Sequence, residues 1–240
     1  IRDRRPSRGL GDVYKRQLLM SEKVKRNITC PKCGNVKETT LLCSVNASSF
    51  NEAHKQIFDD TFFEWTCEKC GETRQLLHPL LYNDIKNRTM IYYIPNVDRR
   101  QLVDDRLEAE FPELTDVKKR VVPTINALKE KLYIFDLGLN DMAVELTKLA
   151  VAELVTKSQK LNVSEGYLSS YDEEANSIGF EFFVGEAGKP FLQSTRLEVY
   201  KRSLEIVETY FKDEDNRQGF LTIDRRWAKE ALGQYRKLKK

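Results

Sequence analysis

The sequence predicts an α+β protein, and three observations predict it. Two Cys-x-x-Cys-Gly loops, Cys30-Pro31-Lys32-Cys33-Gly34 and Cys67-Glu68-Lys69-Cys70-Gly71, lie among residues of extended character. Four thiols in two such pairs can close a tetrahedral site around one zinc ion. Apolar residues then recur at helical spacing through residues 125–157, and from Ile178 to Val184 they alternate as in a half-buried strand. The architecture expected is an N-terminal four-cysteine zinc ribbon, two packed central helices and a C-terminal β-hairpin-plus-helix unit.

The chain opens on a segment set aside from fold reasoning. Residues 7–17, Ser-Arg-Gly-Leu-Gly-Asp-Val-Tyr-Lys-Arg-Gln, resemble a translated transposase-type sequencing adapter. Residues 1–19 are therefore read as a non-native leader, with Met20 as the natural start. The leader dominates the charge balance. The whole chain carries a formal charge of +3, but residues 1–17 hold six Lys/Arg against two Asp, which leaves 34 basic and 35 acidic residues and a net charge of −1. The basic footprint of a nucleic-acid binder is then missing at the level of the whole chain.

Residues 20–97 form the expected ribbon domain. Val36–Val45 reads as a strand. Ser49-Phe50-Asn51-Glu52 reads as a capping box, with Ser49 as the cap, for a short helix ending near Phe58. Thr61–Thr66 is extended, and Thr73–Leu77 should return after the second loop. Tyr82-Asn83-Asp84 and Asn87-Arg88 carry turn chemistry, and Met90–Pro95 is a strand that Pro95 ends. Residues 98–120 are charge-dense and read as a linker or solvated helix.

Residues 121–160 are a helical pair. Ile125, Leu128, Leu132, Phe135 and Leu139 make one stripe, Gly138 and Asn140 break it, and Asp141 is expected to cap the next helix. That second helix, Met142 to Lys157, is apolar around most of its girth, with a narrow polar side of Glu145, Lys148 and Glu153. Residues 161–240 form the last unit. Tyr167–Tyr171 is a short strand, Glu186-Ala187-Gly188-Lys189 turns the longer strand into Pro190–Thr195, and Leu197, Tyr200, Leu204, Val207 and Phe211 stripe a helix. Asp224 caps a final helix with Trp227, Ala231, Tyr235 and Leu238 on one face.

The cysteine loops carry the chemistry. Zinc prefers soft thiolates and takes four of them tetrahedrally at about 2.3 Å. Two residues between cysteines let one turn present both sulfurs to one ion, and the following glycine tolerates positive φ. The assigned metal ligands are Cys30, Cys33, Cys67 and Cys70, holding one structural zinc. Rubredoxin-type iron could use the same thiolates. A CxxC dithiol redox protein is the other reading of the pairs, but reactive pairs usually open a helix, and here Gly34 and Gly71 interrupt one. Cys43 reads as a small buried hydrophobe. His54 and His78 are alternative ligands that a complete four-cysteine site does not need. No carboxylate pair, serine triad or phosphate-binding loop is legible, so no catalytic residue is assigned.

These residues resemble the CpXC family, bacterial and archaeal proteins named for a Cys-Pro-x-Cys motif. The resemblance rests on the two cysteine loops, Ser44-Val45-Asn46-Ala47, Pro79-Leu80-Leu81-Tyr82-Asn83-Asp84 and Ile91-Tyr92-Tyr93-Ile94-Pro95, and covers about residues 21–97. Glu68 stands where many members have proline, and Asn83 where histidine is common. The resemblance implies a zinc-binding ribbon and no assigned biochemical activity.

Five cysteines, four of them in CxxC pairs, suit a reducing compartment, and no apolar run approaches the roughly 18–20 residues of a membrane span. The protein is therefore expected in the cytoplasm, as a binding or interaction module with a protein partner and no membrane partner. A nucleic-acid-binding zinc ribbon is the alternative, with Phe62, Phe63, Trp65, Tyr92 and Tyr93 stacking on bases and Arg74, Lys86 and Arg88 meeting phosphates. The acidic balance favours these aromatics as the ribbon's own core.

Overall fold

The computed structural model describes residues 23–48, 50–95, 117–160, 162–185, 188–215 and 219–239. The expected leader, most of the charged linker, Ser49 and the turn residues Glu186 and Ala187 lie outside these. The chain divides into two compact units between Val117 and Lys118. Among the described residues no helix is long and apolar enough to cross a membrane.

The first unit runs β1 (Lys23–Thr29), β2 (Val36–Leu42), β3 (Ser44–Asn46), α1 (Glu52–Phe58), β4 (Glu64–Thr66), β5 (Thr73–Gln75), β6 (Leu80–Asp84) and β7 (Thr89–Tyr93). Strands β1 and β2 pair antiparallel with Thr29 opposite Val36, and β4 and β5 with Thr66 opposite Thr73. Each hairpin thus has a Cys-x-x-Cys-Gly loop at its tip. Strand β6 takes β3 parallel on one side and β7 antiparallel on the other. This sheet is built from the three short stretches quoted beside the cysteine loops. Its buried side chains include Val45, Leu80, Tyr82, Met90, Ile91 and Tyr93, and α1 buries Ala53 and Ile57.

Four expectations change here. The single strand Val36–Val45 breaks at Cys43, because its two halves pair with different partners, β1 and β6. The short helix stands where expected, but its cap is Asn51, already in helical φ/ψ and making no side-chain cap bond. The extended stretch Thr61–Thr66 is strand only over Glu64–Thr66. Tyr82-Asn83-Asp84 is not a turn but the buried end of β6, and the turn follows it. There Asp84 accepts from the backbone N–H and the side-chain amide of Asn87, at 3.1 and 2.8 Å.

The second unit runs β8 (Lys118–Val122), α2 (Ile125–Asp136), α3 (Asp141–Gln159), β9 (Val163–Asp172), β10 (Ser177–Val184), β11 (Lys189–Arg196), α4 (Leu197–Tyr210), α5 (Lys212–Asp215), β12 (Phe220–Leu221) and α6 (Arg225–Leu238). Strands β9, β10 and β11 form an antiparallel meander, and β12 pairs parallel with β8. Helix α3 is the hub, packing on α4, α6 and β9. Its Met142, Val144 and Val151 are buried, as are Phe180 and Phe182 of β10. Thr147 Oγ1 donates to Ser203 Oγ at 3.0 Å, tying α3 to α4. Thr124 caps α2, accepting from Ala127 N–H at 3.1 Å, and Gly138 ends it with φ of 67°. Asp224 caps α6 as expected, accepting from the N–H groups of Arg226 and Trp227.

The charged stretch meets a strand over its last three residues. Lys119 and Arg120 are buried at 4% and 1% exposure, and the carboxylate partners of Arg120 are supplied by distant segments. Arg120 Nε and Nη2 donate to the two oxygens of Asp141 at 2.8 and 2.9 Å, and Nη2 also reaches Asp215 Oδ1 at 3.1 Å. Lys131 Nζ donates to Asp141 Oδ2 at 2.8 Å. Asp141 is therefore not the cap of α3. Asn140 takes that place, its Oδ1 accepting from Met142 and Ala143 N–H at 2.9 and 3.1 Å. Desolvation alone would raise the Asp141 carboxyl, but attraction to Arg120 and Lys131 outweighs it and holds the group well below the usual carboxylate range. Likewise Glu145 and Lys148, expected on a solvated side of α3, are buried at 3% and 7% exposure, and only Glu153 of that trio is exposed.

One glycine of the meander marks a close approach. A Cβ on Gly166 would stand 2.5 Å from Cδ1 and 2.7 Å from Cε1 of the fully buried Phe182 ring. Gly166→Ala is expected to destabilise the second unit by about 1–3 kcal/mol, the usual cost of overpacking. A thermal melt of the variant measures it, and an unchanged midpoint would show that the ring can yield.

Candidate metal centre

The two hairpin tips are brought together so that the four sulfurs meet. Cys30 Sγ lies 3.7 Å from Cys70 Sγ, and Cys33 Sγ lies 3.7 Å from Cys67 Sγ. All four sulfurs lie within 4.8 Å of one another. A tetrahedron with metal–sulfur bonds of about 2.3 Å has edges of roughly 3.8 Å, and the two 3.7 Å separations match such an edge.

The loops are alike in backbone as well as sequence. Gly34 N–H donates to Cys30 carbonyl at 2.9 Å and Gly71 N–H to Cys67 carbonyl at 2.8 Å. Cys30 N–H reaches Asn35 carbonyl and Cys67 N–H reaches Glu72 carbonyl, each at 2.8 Å. Both turns close on a glycine in the left-handed region, φ 70° at Gly34 and 69° at Gly71, where a side chain would be strained. The first cysteine of each loop is buried and the second half-buried, so the site sits at the rim of a small apolar cluster. That cluster is Cys30, Trp65 and Cys67, flanked by Ile28 and Leu76.

Side chains that the sequence reading did not assign hold the two hairpins in register. Trp65 Nε1 donates to Thr39 Oγ1 at 3.1 Å. Lys32 pairs with Glu72 at 3.4 Å, and Lys37 pairs with Glu68. Glu68, which replaces the proline of many CpXC sequences, thus has a partner on the opposite hairpin. A Lys-x-x-x-x-Lys spacing facing two glutamates is too common on exposed strands to be read from sequence.

Packing four thiols together separates their acidities. Burial raises Cys67, but backbone N–H groups of Cys70 and Lys69 and the thiols of Cys30 and Cys33 bring it down to about 6. Cys70 accepts a backbone hydrogen bond from Glu72 that lowers it, yet burial and the three neighbouring thiols push it up to about 12. The first proton leaves easily and the last is held. A cation at the centre supplies the positive charge that lets all four ionise.

The other candidates stay out of the site. His78 sets Nδ1 against Leu76 carbonyl at 2.8 Å and Nε2 against Leu42 carbonyl at 3.0 Å, so both ring nitrogens are engaged. His54 lies on α1 and stacks on Phe58. Cys43 is half-buried between β2 and β3. Asn83 lies within β6, where its carbonyl accepts from Ala47. Of the five aromatics considered for base stacking, Phe63, Trp65 and Tyr93 are buried, and Phe62 and Tyr92 are partly so. Arg74, Lys86 and Arg88 are exposed.

Compared with known proteins, residues 28–148 match the family described as CpXC protein. The match extends beyond the cysteine hairpins into α3. No curated protein and no solved structure matches the chain.

Proposed function

We propose that this chain, which belongs to the CpXC family, holds one zinc ion in a closed ribbon of Cys30, Cys33, Cys67 and Cys70, and works as a binding or interaction protein. The observation that carries this is the gathering of four sulfurs within 4.8 Å of one another, two pairs of them at the 3.7 Å expected of a tetrahedral edge. Four thiolates fill the coordination sphere of zinc and leave no open position for substrate, as in structural sites. The ion supplies cohesion that a cluster with three buried residues cannot. Free thiols persist best in a reducing compartment, which supports a cytoplasmic location.

The reading favours a protein partner over nucleic acid, because the aromatics that would stack on bases are largely committed to the hairpins and the sheet. It favours a structural site over dithiol redox chemistry, because both loops turn between strands and the nearest sulfurs are in opposite loops.

Elemental analysis with native mass spectrometry on the full chain tests it. One zinc per chain, lost when Cys67 is changed to serine, is the expected result. One iron would keep the ligands and replace the metal. No metal, with two disulfides formed, would overturn the proposal and leave the dithiol reading.

A further inference from the structure

Helices α4 and α6 both pack on α3, and an open groove of about 380 Å³ runs between them. Its floor is apolar: Leu146 and Ala150 of α3, Val199 and Ile206 of α4, and Leu232 of α6. Val199, Ile206 and Leu232 are half-buried, and Ala150 is exposed. Four residues on from Ala150, and so on the same face of α3, Leu154 is 63% exposed. One turn beyond Ile206 and Leu232, Tyr210 and Tyr235 pack edge to face with centroids 5.3 Å apart, which brings α4 and α6 together there. Apolar side chains left open in a row of this kind mark an interaction site.

The rim of the groove is positive along α6. Lys229 and Arg236 stand three residues before and four residues after Leu232, so they flank it on the helix surface. Both are exposed, and neither makes an ion pair among the described residues. Glu230, the one acid of α6, lies two residues from Leu232 on the opposite side of the helix and pairs with Arg226 at 2.9 Å. Arg202 of α4 lines the groove, its side chain 66% exposed and 3.9 Å from Glu205. The acid in the lining, Glu198, is held by Asn176, whose Nδ2 donates to it at 2.9 Å.

An open apolar floor with unpaired cations beside it fits an occupant that is apolar on one side and acidic on the other. We propose that the groove receives an amphipathic helix of a protein partner, its apolar stripe on the floor and its acidic residues along Lys229, Arg236 and Arg202. The inference rests on reading the chain as an interaction protein, and it gives that partner a chemistry. A bilayer is too flat to reach a floor set between two helices, and a nucleic-acid backbone has no apolar side to fill it.

Fluorescence anisotropy of the full chain with a labelled helical peptide tests this. The peptide carries leucines at i, i+3, i+4 and i+7 and glutamates on their flank, and its control carries lysines in place of the glutamates. Binding of the acidic peptide is expected, weakening as salt is raised, with the basic peptide at least about tenfold weaker. Lys229→Glu together with Arg236→Glu should weaken the acidic peptide by about five- to tenfold and strengthen the basic one. Ala150→Glu, which sets a charge on the floor, should weaken the acidic peptide by at least about tenfold. All three positions are exposed, and circular dichroism establishes that the variants fold. Zinc is counted on the same samples, so a failed groove and a failed metal site are separate results. No binding of the acidic peptide at about 1 mM, equal binding of the basic one, or unchanged binding in the folded variants would overturn the proposal. A dimer in native mass spectrometry that Ala150→Glu dissociates would also overturn it, by giving the groove to a second copy.

Discussion

Chelating the metal is expected to melt the two cysteine hairpins while strands β3, β6 and β7 of the first unit and the whole second unit stay folded. Hairpins β1–β2 and β4–β5 share a core of three buried residues, Cys30, Trp65 and Cys67, two of which are proposed ligands. Complete burial of one large side chain contributes only about 3 kcal/mol, whereas structural zinc in small domains contributes roughly 10–16 kcal/mol at neutral pH. The exposed ion pairs across the hairpins add little. The sheet β3-β6-β7 has its own buried side chains, from Val45 to Tyr93, and the second unit is organised on α3. Hydrogen exchange resolves the parts. Protection over Lys23–Leu42 and Glu64–Gln75 should vanish with chelator or in Cys67→Ser, while Leu80–Tyr93 and the α3 amides keep theirs. Persistent protection in the hairpins would show that they stand without metal. Protons compete for the same sulfurs, so metal should be lost as pH falls.

Asp141→Asn should be the most damaging conservative change in the second unit. The variant keeps the shape of the side chain but takes from Arg120 and Lys131, buried at 1% and 3% exposure, the carboxylate that they share. Removing one partner of a buried pair costs about 3–5 kcal/mol, which lowers the melting midpoint of a unit this size by roughly 10–20 °C. The wild type should show the same dependence through pH. The folded-state acidity of Asp141 is shifted down, so its contribution is complete above the unfolded aspartate value of about 4 and is lost as pH falls from there toward the folded value. The variant should lack that acid limb. Parallel melts of the two proteins between neutral pH and pH 3 check it, and superimposable curves would remove Asp141 from the account.

The features legible in sequence share one property, that their signal is local. The loop spacing set the four cysteines in two turns, and stripes at spacings 3, 4, 3, 4 placed α2 and α4, and a 4, 4, 3 face α6, because helical periodicity is written in neighbouring residues. The alternation of Ile178 to Val184 located β10 for the same reason. What escaped depends on partners far along the chain. Strand β1 is Lys-Val-Lys-Arg-Asn-Ile-Thr, polar in composition, and becomes a strand by pairing across the first loop with β2. Strand β8 reads as a charged run because Asp141 and Asp215, which neutralise Arg120, are 21 and 95 residues away. Asn140 and Asp141 are adjacent, and either can cap a helix. The choice between them was made by two cations that no window around the helix start contains. The burial of Glu145 and Lys148 escaped in the same way, since at i and i+3 they look like a solvated pair.

The parallel pairing of β12 with β8 has a consequence for synthesis. Lys119 emerges from the ribosome early, yet its register partner is Phe220. At about 5–20 residues per second, strand β8 waits on the order of 5–20 s for β12, and Arg120 spends the first ~1–4 s of that without Asp141. The very charges that hide in the finished unit keep that nascent segment hydrated during the wait. A strand with apolar residues at those positions would spend the same seconds as an unpaired, sticky edge, so the costly buried arginine protects the chain before it stabilises the fold.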